Sequence, residues 1–340
     1  MSAVMGVTMS KIGYPPDRMD FHSLGQSGLK VPPMAFGSWL NLLGAHSDSP
    51  QDLVDASLEA GVNFFDTADV YDFGRAEEAL GQALAPHPRH LVVVATKAYF
   101  PMSDDANDRG LSRKHLKEGL DRSLQRLGMD YVDLFQCHRY DEETPLRETV
   151  QTMGELIRAG KTHYWGTSMW STEQLQQACA VCDELGVPRP VSEQARLSLL
   201  CREVDAEVLP QAQQLGMGFL WWSPLAQGIL SGKYHQGQAP PEESRAASKG
   251  RVGTFLDDAM ASAEVHQRVN ALREVAAEAG CSMATLSLAW CLHHAPQSSV
   301  LVGATSKAQL SENLAALELP WSADLAAAVE RAMAGPSLGF

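Results

Sequence analysis

The chain has 340 residues, of which 45% are apolar and 20% are charged, a composition typical of a soluble globular protein with a large core. The 27 basic and 41 acidic residues give a formal net charge of −14. This balance argues against nucleic acid or an anionic membrane as a partner, because both bind basic surfaces. No apolar run approaches the ~20 residues that span a bilayer. Since no signal peptide is recognisable and the six cysteines lack framework spacing, we expect a cytoplasmic protein with reduced thiols.

We expect one folded domain with a short segment at each end. Residues 1–19 carry no clear periodicity and are predicted to be a flexible leader. Residues 20–325 are predicted to form the domain, and residues 326–340 a C-terminal tail. At the start of the domain, two short runs around a Gly/Ser turn predict a β-hairpin over residues 21–31.

After the hairpin, strand and helix patterns alternate along the chain. The helix ends carry clear signals, such as Ser49 as an N-cap followed by Pro50, and Gly128 as a stop. The predicted strands cover residues 34–37, 63–66, 91–96, 132–137, 162–166, 190–194, 218–222 and 299–303. The predicted helices cover residues 49–61, 75–84, 112–128, 149–160, 171–186 and 204–215, and a last one starts at residue 306.

Eight strand–helix repeats in a row predict an α/β fold, a (β/α)8 TIM barrel with an N-terminal β-hairpin. The competing architecture is a doubly wound sheet, which needs a composition break or a Gly-rich fingerprint that this sequence lacks. Residues 98–110 and 224–260 are long segments rich in Gly, Pro, Ser and Asp that follow the third and seventh strands. Loops of this length usually act as lids or clamps, and both are expected at the catalytic end of the barrel.

Four polar side chains lie at or just beyond the ends of three neighbouring predicted strands. Asp66 and Tyr71 follow the second strand, Lys97 the third and His138 the fourth. Taken singly, each has a more ordinary explanation as a turn residue, a packed ring, a solvated lysine or a satisfied histidine. A parallel barrel, however, builds its active site at the carboxyl ends of its strands. Together the four side chains therefore predict a catalytic site.

The chemistry of these side chains suits the reduction of a carbonyl group by hydride. The carbonyl oxygen becomes an alkoxide and needs a proton as its charge develops. Tyr71 is the candidate acid, and Lys97 should lower the phenol pKa from ~10, because a cation within about 4–6 Å favours the phenolate. Asp66 would keep Lys97 charged and oriented, and His138 would donate a hydrogen bond to the carbonyl oxygen. This step needs no metal.

Two other patterns do not predict sites. The segment 154–162 departs from a phosphate-binding P-loop, because five residues separate its glycines and it follows a helix and precedes a strand. Cys179 and Cys182 have metal-ligand spacing but lie within a predicted helix, with no second pair. We therefore expect no structural zinc.

Several stretches resemble the signatures of the aldo-keto reductases. The segments 64–71, 96–97 and 136–139 are similar to the family's catalytic motifs, and 166–170, 222–228 and 302–305 to its nicotinamide-site motifs. Within the family, the segments 109–115 and 231–234 are most similar to the potassium-channel β-subunits and their bacterial relatives. The resemblance, which runs from the hairpin to residue 319, implies NADPH-dependent reduction of small aldehydes or ketones. It also implies that Asp66, Tyr71, Lys97 and His138 are the catalytic residues.

The same resemblance implies which residues bind NADPH. Ser168 and Gln194 would bind the nicotinamide amide, and Trp222 would stack on the ring. Lys233 and Arg245 would hold the 2′-phosphate, although without the resemblance they would be interpreted as solvated loop charges. The other implied positions at the cofactor and pocket wall are Trp39, Ser223, Pro224, Leu225, Gly228, Gly303, Thr305, Gln309, Glu312 and Asn313. Trp39 matches a position that lines the substrate pocket, and simple packing explains it equally well.

Two positions depart from the channel β-subunit pattern. Met169 stands where that subgroup has an arginine, and His138 stands where it tends to have an asparagine. Since histidine is the usual residue of the enzymes, we expect this chain to turn over substrate better than those relatives. The alternative is an NADP(H)-sensing regulatory subunit with slow or vestigial chemistry. A barrel hydrolase or isomerase, which would bind no nicotinamide, is disfavoured by the segment 222–225. The expected partner is a small carbonyl substrate, and the sequence leaves open whether further copies of the same chain also bind.

Overall fold

Eight parallel strands close into a barrel in the computed structural model of this chain, which describes residues 19–39, 42, 47–234, 244, 256, 262–295 and 297–337. An antiparallel hairpin of β1 (His22–Ser23) and β2 (Lys30–Val31) precedes it. The barrel strands are β3 (Met34–Gly37), β4 (Phe64–Asp66), β5 (Val93–Ala98), β6 (Val132–Cys137), β7 (Thr162–Ser168), β8 (Ser192–Arg196), β9 (Gly218–Trp222) and β10 (Ser298–Val302). They are neighbours in chain order, and β10 pairs with β3 to close the barrel. The predicted TIM barrel with an N-terminal hairpin is confirmed.

Helices surround the barrel, and four of them begin at predicted serine caps. The helices are α1 (Pro50–Glu59), α2 (Arg75–Leu84), α3 (Arg113–Leu127), α4 (Leu146–Arg158), α5 (Thr172–Leu185), α6 (Val208–Gln214), α7 (Ala263–Glu278), α8 (Met283–His294), α9 (Lys307–Leu314) and α10 (Ala323–Ala332). Ser49 accepts a hydrogen bond from the Asp52 N–H at 3.1 Å, and Ser171 forms a capping box with Gln174. These bonds satisfy N–H groups that a helix start leaves unpaired.

Some elements differ from the sequence-based expectation. Helix α4 begins at Leu146, three residues before the predicted start at residue 149. Helices α7 and α8, between β9 and β10, were not predicted. Helix α10 runs across residue 325, the expected end of the domain, and packs on α7. Arg268 of α7 donates hydrogen bonds to the carbonyl oxygens of Met333 at 2.8 Å and Pro336 at 2.9 Å.

The core has two layers, one inside the barrel and one between the strands and the helices. The inner layer is a small cluster that includes Phe64, Leu134 and Leu220. Leu24 of the hairpin belongs to this cluster, and the N–H of Gln26 donates to the carbonyl oxygen of Gly216, just before β9, at 2.8 Å. The hairpin thus covers the amino-terminal end of the barrel, which leaves the carboxyl-terminal end for the site.

Within the described part of the chain, no single helix is long and apolar enough to cross a membrane. The pair α7 and α8 meets the length and composition criteria together, and the two helices bend by 92° at the break between them.

At Gly81, helices α2 and α3 lie so close together that there is no room for a side chain. A Cβ atom there would overlap the backbone of Leu127, with 2.7 Å to the Leu127 Cα. We expect Gly81→Ala to destabilise the protein by about 1–3 kcal/mol, because the helices must separate. Urea unfolding monitored by circular dichroism measures this change.

Gly119→Ala is the matched control, because Gly119 is also a buried glycine inside a helix. The nearest atom to a Cβ there is the Ala98 Cβ at 3.8 Å, so we expect no loss and up to about 1 kcal/mol of gain. Equal stabilities of the two variants would contradict the proposed close contact.

Candidate active site

The four predicted catalytic side chains lie at the carboxyl-terminal end of the barrel. Asp66 ends β4, and His138 directly follows β6. Tyr71 begins a short 3-10 turn, Tyr71–Gly74, after β4. Lys97 lies inside β5 rather than beyond it, because Lys97 still pairs with Gln136 of β6. The structure thus brings the four residues together, as the sequence predicts.

Lys97 is fully buried and is held by three oxygen atoms. Its Nζ atom donates to Asp66 Oδ1 at 2.6 Å, to the carbonyl oxygen of Thr67 at 2.7 Å and to the Tyr71 hydroxyl at 3.1 Å. An ammonium group has three N–H donors, so these contacts use all of them. The position of the charge relative to the Tyr71 hydroxyl is therefore fixed.

Lys97 and Tyr71 both keep their protons at neutral pH. Burial favours a lower pKa for Lys97, but the charges of Asp66 and Tyr71 and the hydrogen bonds to them outweigh burial and raise the pKa. Burial raises the pKa of Tyr71, and the nearby Lys97 opposes this rise without cancelling it. The predicted lowering of the Tyr71 pKa by Lys97 is therefore present, but burial outweighs it, and the net pKa lies above that of a free phenol. Tyr71 is a protonated acid.

The second oxygen of Asp66 is held by two amides. Asp66 Oδ2 accepts a hydrogen bond from Gln194 Nε2 at 2.9 Å and from Gln136 Nε2 at 3.2 Å. Gln194 was predicted to bind the nicotinamide amide, and here its amide nitrogen donates to Asp66. Gln136 was not predicted as a site residue. Its place two residues before His138, on the same face of β6 as Leu134, was a signal that could have revealed it.

His138 is nearly buried and faces two aromatic rings. Its ring makes edge-on contacts with Tyr71, at a centroid distance of 5.8 Å, and with Phe100, at 4.9 Å. Burial, reinforced by the cations Lys97 and Arg139, holds the pKa of His138 well below its usual value. The imidazole is therefore neutral at physiological pH and carries one N–H donor. Its Nδ1 atom has no hydrogen-bond partner in the part of the chain that the structure describes.

A buried glutamate supports the opposite wall of the site. Ser168, at the end of β7, donates to the carbonyl oxygen of Gln194 at 3.0 Å. Directly after it, Met169 adopts a left-handed conformation with φ of 58°. Glu193 accepts hydrogen bonds from the Thr167 hydroxyl at 2.5 Å and the Trp170 N–H at 3.2 Å, and so holds this turn. Burial raises the pKa of Glu193 to about 8.

A cleft of about 770 Å³ extends from the catalytic residues to α9. Every predicted site residue that the structure describes lines it except Lys97, which lies behind Tyr71. These lining residues are Trp39, Asp66, Tyr71, His138, Ser168, Gln194, Trp222, Ser223, Pro224, Leu225, Gly228, Lys233, Gly303, Thr305, Gln309, Glu312 and Asn313. Arg245 lies outside the described residues. Phe100, Arg139 and Leu301 line the cleft and were not predicted.

The cleft residues fit an elongated ligand with an aromatic end and anionic groups. The half-buried Trp222 ring lines the cleft, and its Nε1 atom has no described hydrogen-bond partner. In the loop after β9, Gly228 has φ of 101°, and a Cβ there would lie 3.1 Å from the Lys233 Cε. This glycine therefore lets Lys233 lie against the backbone. Gln309, Glu312 and Asn313 lie on one face of α9, as their i, i+3, i+4 spacing requires. This donor set suits a nicotinamide dinucleotide.

A second group of buried charges lies behind the turn that carries Tyr71. The Asp69 N–H donates to the carbonyl oxygen of Lys97 at 3.2 Å, and Asp69 Oδ1 accepts from the Val70 N–H at 2.6 Å. Glu77 of α2 accepts from the Thr96 hydroxyl at 2.5 Å and from Arg126 Nε at 2.6 Å. Burial, followed by the charge of Glu77, raises the pKa of Asp69 to about 8.

The raised pKa of Asp69 predicts a pH dependence of stability. In the unfolded chain this carboxyl releases its proton near pH 4, whereas the folded protein keeps it to about pH 8. The folded state binds the extra proton in this window, so stability falls as the pH rises through it. We expect Asp69→Asn, which has no such proton, to be more stable than the wild type at the upper end of the window, by on the order of a few kcal/mol.

Urea unfolding at both ends of this window measures the effect, with Asp104→Asn in an exposed loop as the control. Glu193 titrates in the same range, so the free energy of unfolding of Asp69→Asn should still fall with pH, but less steeply than that of the wild type. If the free energy of unfolding of Asp69→Asn fell with pH as steeply as that of the wild type, Asp69 would be ionised in the folded protein. Its proposed protonated state would then be wrong.

In the described ranges, no group of three or more His, Cys, Asp or Glu side chains is placed to hold a metal ion. That the chemistry needs no metal stays a prediction.

Comparisons with known proteins agree with the geometry. A sequence model described as "Aldo/keto reductase family" matches residues 33–334. A protein of Oryza sativa subsp. japonica named "Probable voltage-gated potassium channel subunit beta" is 42% identical over 310 residues, which cover 88% of this chain and 92% of that protein. An Arabidopsis thaliana protein of the same name is 40% identical over the same length and coverage. The predicted similarity to potassium-channel β-subunits is confirmed.

Proposed function

The chain belongs to the aldo/keto reductase family, and on that premise we propose that it uses NADPH to reduce small aldehydes or ketones to alcohols. The observation that carries this proposal is the Lys97 ammonium, which binds both Asp66 and the Tyr71 hydroxyl beside the neutral His138. A protonated phenol and a neutral imidazole donor lie in one wall of a cleft large enough for a dinucleotide and a small substrate. In carbonyl reduction, the phenol can supply the proton and the imidazole a hydrogen bond to the carbonyl oxygen.

The roles of the side chains follow from their positions. A bound nicotinamide supplies the hydride for the carbonyl carbon. His138 donates its N–H to the carbonyl oxygen and orients it. Tyr71 transfers its proton to that oxygen as the negative charge develops, which leaves a phenolate 3.1 Å from the Lys97 ammonium. Asp66 keeps Lys97 charged and in place, and solvent returns the proton to Tyr71 after the alcohol leaves.

Lys233 supports NADPH rather than NADH in this proposal. It lines the cleft next to Gly228, in the loop that corresponds to the family's phosphate-binding segment. A lysine near the 2′-phosphate adds an ionic contact that NADH cannot make. Arg245 is proposed as the second contact to this phosphate.

The proposed location of the protein is the cytoplasm. The six cysteines, all of which lie in the described part of the chain, form no disulfide, and five of them are buried, which suits a reducing compartment.

Removal of the Tyr71 hydroxyl tests the mechanism directly. We expect Tyr71→Phe to lose at least about 100-fold in kcat, because the general acid is gone. NADPH binding should persist. Loss of NADPH absorbance with a panel of aldehydes measures turnover, and protein fluorescence measures binding of NADPH and NADH. Tyr140→Phe is the matched control, since Tyr140 packs on Trp170 outside the cleft. Undiminished turnover in Tyr71→Phe would refute the assignment.

The pH profile tests the protonation states. Because the pKa of His138 is held well below its usual value and that of Tyr71 is raised, neither group changes charge near neutral pH. We expect kcat to be flat between about pH 6 and pH 8, and to fall only at alkaline pH as Tyr71 ionises. An acid limb near the ordinary pKa of histidine would contradict the neutral state of His138.

The second candidate function is an NADP(H)-sensing regulatory subunit with slow chemistry. The names of the rice and Arabidopsis relatives favour it. It predicts tight NADPH binding without turnover across the aldehyde panel, so the same assay separates the two functions. His138 supports the reductase, because it adds a hydrogen-bond donor at the place where the carbonyl oxygen must lie.

A further inference from the structure

Two cations, Lys97 and Arg139, lie at the catalytic end of the cleft, and they differ in whether a carboxylate pairs with them. Lys97 has a carboxylate partner, Asp66, at 2.6 Å. Arg139, which follows His138 and lines the cleft, makes no ion pair within the described residues. An unpaired charge that is partly buried is costly, so the position of Arg139 needs an explanation.

Both hydrogen bonds that the Arg139 side chain donates within the described residues come from a single nitrogen atom, Nη1. Nη1 donates to the carbonyl oxygen of His138 and to Ser168 Oγ, the latter at 3.3 Å. The centre of the guanidinium lies 5.5 Å from the Phe100 ring centroid. A guanidinium carries five N–H donors, and the part of the chain described here provides no acceptor for those on Nε and Nη2. A fork of donors therefore remains in the cleft wall.

The nearby acids do not neutralise this fork. Asp66 is engaged by Lys97. Burial raises the pKa of Glu193 to about 8, so this carboxyl is mostly protonated at neutral pH. Asp141 accepts hydrogen bonds from the Leu111 N–H at 2.7 Å and the Thr144 hydroxyl at 2.6 Å. Within the described residues, none of these three carboxyl groups forms an ion pair with Arg139, so its guanidinium charge stays without a carboxylate partner in the cleft wall.

The position of Arg139 in the barrel separates it from the proposed phosphate site. Arg139 follows β6, which pairs with β5, the strand that carries Lys97. The loop that corresponds to the family's phosphate-binding segment follows β9, and β7 and β8 lie between β6 and β9. The anion that would pair with Arg139 is therefore expected on the substrate.

We propose that Arg139 selects carbonyl substrates that carry a carboxylate, and that its unused Nε and Nη2 donors bind this group. The substrates would thus be oxo-acids rather than neutral aldehydes or ketones. Arginine binds carboxylates through two parallel hydrogen bonds, which gives both affinity and orientation. The bond from Nη1 to the His138 carbonyl fixes the fork relative to the residue that orients the reacting carbonyl. This inference rests on the proposed reductase function.

The test compares 4-formylbenzoate with 4-nitrobenzaldehyde, whose nitro group has the shape of a carboxylate but no net charge. We expect Arg139→Met to lower kcat/KM for 4-formylbenzoate about 10- to 100-fold more than for 4-nitrobenzaldehyde, mainly through KM. Arg139→Lys should restore part of this loss, since it keeps the charge without the fork. Arg147→Met is the control, because it removes an exposed charge on α4 that pairs with Glu184.

Equal losses for the two aldehydes in Arg139→Met would overturn the inference, because Arg139 would then only support His138. If the wild type reduced neither aldehyde, the proposed function would fail, and binding would decide the inference by itself. Calorimetric titration with benzoate in the presence of NADPH is the readout. Binding by the wild type that is lost in Arg139→Met and kept in Arg147→Met supports the inference, and any other pattern overturns it.

Discussion

The buried contact between Lys97 and Asp66 is the interaction on which the site depends. An ion pair removed from water is stable only when its remaining donors and acceptors are satisfied. Lys97 uses all three of its N–H groups, and the second oxygen of Asp66 accepts from the amides of Gln136 and Gln194. These partners lie on four different strands, β4, β5, β6 and β8. Closure of the barrel therefore assembles the ion pair, and the ion pair in turn positions the Tyr71 hydroxyl.

The charges around this pair divide the cleft into two functional halves. At the catalytic half, burial keeps Tyr71 protonated and His138 neutral, so neither carries charge before a reaction begins. The other half, formed by the loop after β9 and by α9, presents polar side chains and Lys233 to the proposed cofactor. In the proposed function, chemistry and cofactor binding use different strands of one barrel, which is how this fold supports many reactions.

Buried carboxyl groups support the loops on both sides of the catalytic residues. Asp69 and Glu77 lie behind the Tyr71 turn, and Glu193 lies behind the turn at Met169. Each accepts hydrogen bonds from backbone N–H groups or hydroxyls of neighbouring strands and loops. Asp69 and Glu193 reduce the cost of burial by keeping their protons. The turns that carry site residues are thus fixed with little additional charge near the reacting groups.

The sequence by itself determined the barrel and the meeting of four side chains at one end of it. Alternating strands and capped helices specify the repeat, and parallel strands must place their carboxyl ends together. Helices α7 and α8 were missed, because α8 is apolar on nearly all sides and shows no amphipathic period. Only the tertiary structure decided the raised pKa of Tyr71, the contact of Gln194 with Asp66 and the fork of Arg139, which has no carboxylate partner among the described residues. These properties depend on burial and on distances between strands far apart in the chain, which a local pattern of residues does not contain.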